Sequence, residues 1–262
     1  MSASTVTTKS SLDGKTIVVI GGGGRIGWKA VLHIIEQGAH VIACDFQFGD
    51  MVNEAIDNNP NIDESLKLHH ADVCSAEEVS QFFRGLPAID GLVNCSYPRG
   101  RNYGRDFLEV DLDDFNHTLS LHLGSCLLVT QECVRHFNQH QKWFSLVNFS
   151  SIYGVIAPRF DVYSGTMMTT PVEYSLMKAA IQHLNKYVSS YLRDSRFRIN
   201  TIAPGGILDD QPKSFLDNYG GYSRGVGMLA SEDICGTIAF LLSDESRFLT
   251  GQNLIVDDGY HL

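Results

Sequence analysis

Tyr174 and Lys178 stand four residues apart in EYSLMKAAIQHL, a strongly helical run that begins at Glu173. Positions i and i+4 share a helical face, which sets a phenol beside an ammonium. An ammonium there stabilises phenolate and draws the phenol down from its usual ~10, the condition for general acid–base work. On an exposed helix the same pair is only a surface contact. A second signal is TIVVIGGGGRIG at 16–27, a β-branched strand running into glycines that open a helix. Such a turn lets backbone N–H groups approach a pyrophosphate at the helix N-terminus, and alone it is equally a tight strand-to-helix turn. Asp45 gives it context, closing the next strand 18 residues after Gly27. An acid about 20 residues on can accept from both ribose hydroxyls of a dinucleotide and repel a 2′-phosphate. Asp72, after an apparent third strand Lys67–His70, is placed to meet the adenine side or to cap a helix over Ser75–Phe83.

These residues need elements to hold them, and apolar runs alternate with helical patterns along the chain. Strands are expected at Thr16–Ile20, Ala39–Cys44, Gly91–Cys95, Phe144–Phe149, Arg198–Ile202 and Asn253–Val256. Helices are expected from Ile26 to Gln37, with Gly38 as the stop, and over Asp113–His136, Pro171–Arg193 and Ser231–Leu242. Nearly all-apolar strands separated by amphipathic helices indicate a parallel sheet covered on both faces. Ser96–Asp111 and Gly205–Met228 read as irregular. Both follow strands, and ligands in doubly wound sheets sit beyond strand carboxyl ends, so both are expected walls of one site.

Composition bounds the rest. The 262 residues are 44% hydrophobic and 19% charged, which excludes wholesale disorder. Length allows two domains, but no linker or repeat divides the chain, so residues 12–262 read as one domain behind a polar, disordered tail, 1–11. The start, MSASTVTTKSSLDGK, has no apolar core of a signal peptide, and no apolar run reaches the ~20 residues of a membrane span. A formal charge of −10 disfavours nucleic acid and anionic membrane as partners. The six cysteines form no CxxC pair, which suits reduced thiols in a cytoplasm and predicts no disulfide framework and no metal site.

GGGGRIG, Asp45, Asp72, LVN at 92–94, NFSS at 148–151, YSLMK at 174–178, INTIAPGGI at 199–207 and LTGQNLIVDDG at 249–259 follow one another in a fixed order. In that ordered set, from about residue 12 onward, the chain resembles the short-chain dehydrogenase/reductase family. The resemblance implies an α/β fold, a doubly wound Rossmann sheet of seven parallel strands with helices on both faces. It also implies a nicotinamide cofactor, a small-molecule substrate and a homotetramer or homodimer. By motif, Tyr174 is the acid/base, Lys178 holds the nicotinamide ribose and lowers the tyrosine, and Ser151 hydrogen-bonds the reacting oxygen. Cofactor contacts are implied at Gly21, Gly24, Arg25, Ile26, Gly27, Asp45, Asp72, Val73 and Asn94, and at Tyr174, Lys178, Pro204, Gly205 and Ile207. The activity implied is NAD(P)-dependent interconversion of a secondary alcohol and a ketone. The alternative is an NAD-binding protein with little or no turnover, serving as a redox sensor or partner subunit.

Several positions depart from the family pattern. Arg25 stands where a third glycine is usual, and basic residues in this turn often accompany NADP. Asp45 outweighs it, and NAD is expected. Cys95-Ser96-Tyr97 replaces the usual Asn-Ala-Gly, so a small residue is lost beside the cofactor. The family's catalytic Asn falls at His122, in LSLHLG. With an ordinary pKa near ~6.5 it is suited to hold a water in the proton relay, or it only packs. Ser151 and Tyr174 lie 23 residues apart, an interval longer than usual, and the insertion APRFDVYSGTMMTTPVE is expected at the substrate mouth. With the YPRGRNYG run and LHLG, it resembles a subgroup associated with flagellin-glycan and legionaminic-type sugar biosynthesis.

Arg99, Arg101 and Arg105 fall within seven residues after the fourth strand. Guanidinium groups bind phosphate or carboxylate bidentately, so Arg99 and Arg101, with Ser151 and Tyr153, are expected to meet a sugar phosphate or nucleotide sugar. The alternative is a solvated loop in which they pair with Asp106, Glu109 and Asp111. Tyr97, Tyr103, Tyr153 and Tyr163 are candidates to stack on a pyranose or bond its hydroxyls. Gly205–Met228, with Lys213 and Arg224, is the expected lid.

Overall fold

The computed structural model describes residues 11–58, 62 and 64–262; of the expected tail, residues 1–10 lie outside the described residues. Seven strands form one parallel sheet: β1 Thr16–Ile20, β2 His40–Asp45, β3 Leu66–His70, β4 Gly91–Asn94, β5 Phe144–Phe149, β6 Phe197–Pro204 and β7 Asn253–Val256. Their order across the sheet is β3-β2-β1-β4-β5-β6-β7. Successive side chains point to opposite faces. Ile17, Val19, Val41, Ala43, Val93 and Val147 pack on one face, with Trp28, Val31, Ile34 and Ile238. Val18, Ile20, Cys44, Leu92, Leu146 and Ile199 pack on the other, with Val79, Phe82, Val129 and Phe137. Burial on both faces explains why these strands read as continuous apolar runs.

The helices are α1 Arg25–Glu36, α2 Asp50–Asp57, α3 Ala76–Arg84, α4 Leu112–Leu119, α5 Ser125–His140, α6 Val172–Leu192, α7 Lys213–Gly220 and α8 Cys235–Leu242. Gly38 adopts φ +88° after α1, the left-handed stop expected of it. The long helix expected over Asp113–His136 is instead α4 and α5 joined through a π-turn at Ser120–Gly124. The segment expected to be irregular, Gly205–Met228, contains α7, and a parallel bridge joins Ile207 to Leu229. Ser231–Leu242 splits into a 3₁₀ turn, Ser231–Ile234, and α8.

Strand order reverses between β1 and β4. A cleft at such a switch point is where doubly wound sheets bind ligands. The register sets Ile20 against Asn94, Asn94 against Asn148 and Asn148 against Thr201, so β1 and β4 end level at that crevice while β5 and β6 run on past it. A buried polar chain fixes α6 there: Asn148 Nδ2 donates to Asn185 Oδ1 at 2.9 Å, and Asn185 Nδ2 donates to Thr201 Oγ1 at 2.7 Å. Among the described residues all six cysteines are free, and no helix is long and apolar enough to cross a membrane.

Candidate active site

The cleft has a volume of ≈ 1160 Å³. Its floor at one end is the glycine turn. Gly27 lets α1 press onto that turn, since a Cβ there would lie 2.0 Å from the Gly21 carbonyl oxygen. Gly24 caps α1 with no side-chain hydrogen bond, and the first turn carries no acid. Free N–H groups at a helix start favour an anion, so the turn fits a dinucleotide pyrophosphate. Gly21, Gly24, Arg25, Ile26 and Gly27 all line this end.

Asp45, at the carboxyl end of β2, lines the same cleft; its Oδ2 accepts from the Gly23 N–H at 2.9 Å, which fixes the carboxylate at the rim. Asp72 and Val73 line it further out. Asp72 is not the cap of α3. Ser75 is, its Oγ accepting from Glu78 N–H at 3.2 Å, while Asp72 Oδ1 accepts from Cys74 N–H at 2.8 Å. Asn94 is buried outside the lining, its Oδ1 accepting from Ser96 N–H and Oγ.

The other end is built by β5, α6 and the turn between them. Ser151 opens a 3₁₀ turn, Ile152–Gly154, and its Oγ accepts from Tyr153 N–H at 3.2 Å. Gly154 lets that turn lie directly on α6: a Cβ there would meet Lys178 C at 2.6 Å and Ala179 N at 2.8 Å. Tyr174 in the first turn of α6 and Lys178 one turn on face the cleft beside Ser151. Lys178 Nζ donates to the Phe149 carbonyl at 3.1 Å and lies 5.6 Å from the Tyr174 ring centroid. Burial draws the Lys178 ammonium down to about 8. Burial also pushes the Tyr174 phenol up, with a Ser151 hydrogen bond acting against it. The lowering expected from Lys178 therefore does not govern Tyr174 in this arrangement: desolvation raises it, and Ser151 is the group acting against that. Pro204 at the end of β6, with Gly205 and Ile207 beyond it, closes the wall between the two ends.

His122 sits in the π-turn, 2% exposed and outside the lining, with neither ring nitrogen hydrogen-bonded among the described residues. Desolvation, then the nearby Lys178 charge, draw it to about 2. The ordinary value near 6.5 expected of a relay histidine does not hold here, and the imidazole is neutral. Its ring meets the Tyr97 ring edge-on, with centroids 5.1 Å apart.

The arginines divide. Arg99 lines the cleft with its guanidinium 5.2 Å from the Tyr97 centroid. Arg105 pairs with Asp114 at 3.4 Å, and Arg101 is exposed outside the lining. Asp106 and Asp111 cap Leu108 N–H and the start of α4, and Arg105 takes Asp114 rather than the acids named in the alternative reading. Arg25 reaches across the mouth, donating to the Leu208 carbonyl at 2.9 Å and pairing with Asp209.

The insertion packs into the site. Tyr163 donates to Tyr153 Oη at 3.3 Å, and Tyr153 and Tyr260 hydroxyls lie 3.3 Å apart; Tyr153 and Tyr163 both line the cleft. Tyr219 of α7 adds to this wall, its Oη accepting from Gly206 N–H at 2.7 Å and its ring stacking on Tyr260. Phe46 was not expected in the lining, whereas Thr170 lies in the insertion and Phe215, Tyr219 and Met228 lie in the Gly205–Met228 wall that the sequence placed there without singling them out. Sequence reasoning placed Tyr97 only as a sugar-stacking candidate. Its position three residues beyond the end of β4 was the available signal.

A family model described as Enoyl-(Acyl carrier protein) reductase matches residues 24–261. The chain is 39% identical over 256 residues to Post-translational flagellin modification protein A of Campylobacter coli, covering 96% of this chain and 100% of that protein. It is 29% identical over 265 residues to a 7alpha-hydroxysteroid dehydrogenase of Bacteroides fragilis, 94% of each. A crystal structure of a short chain dehydrogenase from Leptospira borgpetersenii with bound NAD+ superposes with a TM-score of 0.85 at 28% identity, covering 97% of this chain and 95% of that one.

Proposed function

The chain belongs to the short-chain dehydrogenase/reductase family, and from that premise we propose that it interconverts a secondary alcohol and a ketone on a small anionic sugar, with NAD as redox partner. One observation carries the reading. Ser151, Tyr174 and Lys178 line one end of a cleft whose other end is a glycine turn and Asp45. A nicotinamide dinucleotide bound there supplies the two-electron acceptor or donor for the carbinol carbon. Ser151 Oγ holds the substrate oxygen as it changes between hydroxyl and carbonyl. In the oxidative direction the Tyr174 phenolate takes the hydroxyl proton; in reduction the phenol returns it. Lys178 supplies the positive charge that favours phenolate once it is charged, and it anchors the ribose beside Tyr174.

Asp45 and the satisfied Arg25 together support NAD over NADP. A carboxylate faces the ribose position, and the turn's guanidinium already has Asp209 as counter-charge. Arg99, in the lining and without a carboxylate partner among the described ion pairs, supports an anionic substrate. Phenol hydroxyls of Tyr153 and Tyr163 beside Tyr174 suit a polyhydroxylated ring better than an aliphatic one. Similarity to a protein named for post-translational flagellin modification supports placing that sugar in the supply of such a modification. Residues 12–262 act as one domain, in the cytoplasm, as a homotetramer or homodimer; half-exposed Leu127 and Leu176 on α5 and α6 support association there.

The test is near-ultraviolet absorbance of reduced nicotinamide with purified protein, NAD and a panel of sugar phosphates, nucleotide sugars and simple secondary alcohols, with Tyr174→Phe alongside. Tyr174-dependent reduction of NAD on an anionic sugar is expected. Turnover confined to uncharged alcohols would remove the anionic sugar; turnover untouched by Tyr174→Phe would remove the mechanism.

A further inference from the structure

Tyr97 occupies the centre of the catalytic cluster, where the family pattern has a small residue. Its ring meets Tyr174 edge-on at 5.8 Å and His122 edge-on at 5.1 Å. Two cations, Lys178 Nζ and the Arg99 guanidinium, each lie 5.2 Å from its centroid. Its hydroxyl is tied to that of Tyr103, whose ring stands perpendicular to it. The ring is therefore held from three sides and lies against both Tyr174 and Lys178. An aromatic face attracts a cation through its quadrupole, and most strongly where water is excluded. Lys178 is 5% exposed, so the ring is one of few groups that compensate its desolvation. The Tyr174 ring, 5.6 Å from the same nitrogen, and the Phe149 carbonyl at 3.1 Å are the others.

We propose that Tyr97 is a positioning residue whose ring face keeps the Lys178 ammonium charged and in place beside Tyr174. The ring carries the effect and the hydroxyl does not. The inference rests on the assignment of Tyr174 as acid/base above. Groups facing Lys178 are Cys95, Cys126, His122 and Tyr174; those facing Tyr97 also include Arg99, Tyr103 and Glu173. Cys95 and Cys126 thiols are pushed up by burial and stay neutral, and His122 is neutral. Arg99 adds fixed positive charge and Glu173 is the acid on the Tyr97 side, so neither cysteine nor histidine titration replaces the ring.

The experiment places phenylalanine at 97, then phenylalanines carrying one, three and five ring fluorines. The series keeps shape and withdraws negative charge from the face. Tyr97→Phe is expected to retain wild-type oxidative kcat/KM within about threefold, and the fluorinated series to decline progressively to a total loss on the order of tenfold. Through weaker phenolate stabilisation, the acid limb of the pH profile moves to higher pH. Tyr97→Leu should fall at least as far as the most fluorinated ring. A flat fluorination series, or a Tyr97→Phe loss as large as that of Tyr97→Leu, overturns the proposal. Wild-type turnover that ignores Tyr174→Phe would instead overturn the acid/base assignment, a separate result read in the same assay.

Discussion

Gly154→Ala adds one methyl at the point where the Ser151 turn lies on α6. The new Cβ would sit 2.6 Å from Lys178 C, about 0.8 Å inside the 3.4 Å at which ordinary contact begins. Its neighbours are backbone atoms of α6, and α6 is pinned to β5 and β6 by Asn148, Asn185 and Thr201. The 3₁₀ turn must therefore yield, carrying Ser151 away from Tyr174 by close to an ångström. Overpacking of this kind costs about 1–3 kcal/mol of stability. A misplacement of about 1 Å in a catalytic group costs up to ~10²-fold in rate. The assay pairs steady-state kinetics on the best substrate with urea unfolding and NADH binding by fluorescence. Expected are a kcat lower by ~10–100-fold, NADH affinity within about twofold, and a stability loss of about 1–3 kcal/mol. Full kcat in a variant of unchanged stability would refute the claim that this contact sets the Ser151–Tyr174 geometry.

Further expectations follow from other sites. His122 is held neutral in the folded chain while the unfolded chain binds a proton below 6.5. The unfolded state thus takes up more protons as pH falls. The associated stability is present above 6.5 and lost toward 2, about 2 kcal/mol of it by pH 5. His122→Asn should flatten that part of the urea-midpoint profile, and an unchanged profile would mean the imidazole is solvated. Gly236 lies in α8 with nothing within 4 Å of an added Cβ. Gly236→Ala should raise stability by about 0.5–1 kcal/mol, and a loss in the melt would contradict the open space. Asp209→Asn removes an ion pair between half-exposed side chains, worth at most about 1 kcal/mol, so stopped-flow NADH release should quicken only a few-fold. A change beyond about tenfold would mean that Arg25 itself rearranges.

The fold was legible because burial on both faces leaves an apolar signature at each strand, and the order of the glycine turn, Asp45 and the Tyr–Lys pair survives in the linear chain. The π-turn at Ser120–Gly124 was not, because its apolar spacing around His122 continues that of α4 and α5. The arginine loop was half legible. Charge type and spacing picked out Arg99, but nothing local told that Asp106 and Asp111 would be consumed as caps. Tyr97 carried only the signal of its place just past β4. Its importance comes from where β4 ends relative to α6, a tertiary fact. The pKa of Tyr174 was misjudged for the same reason: a neighbouring charge is visible at i+4, whereas the desolvation opposing it depends on every wall of the cleft.

The bridge from Arg25 to Leu208 and Asp209 crosses the mouth between the glycine turn and the segment that also forms the substrate wall. In the proposed reading both ligands would pass this one gate, above the glycine turn that would hold the dinucleotide. On that reading turnover follows a compulsory order, redox partner first to enter and last to leave. In product-inhibition experiments, only the oxidised and reduced forms of the dinucleotide should then compete for the same enzyme form, while the ketone product should inhibit without competing against either.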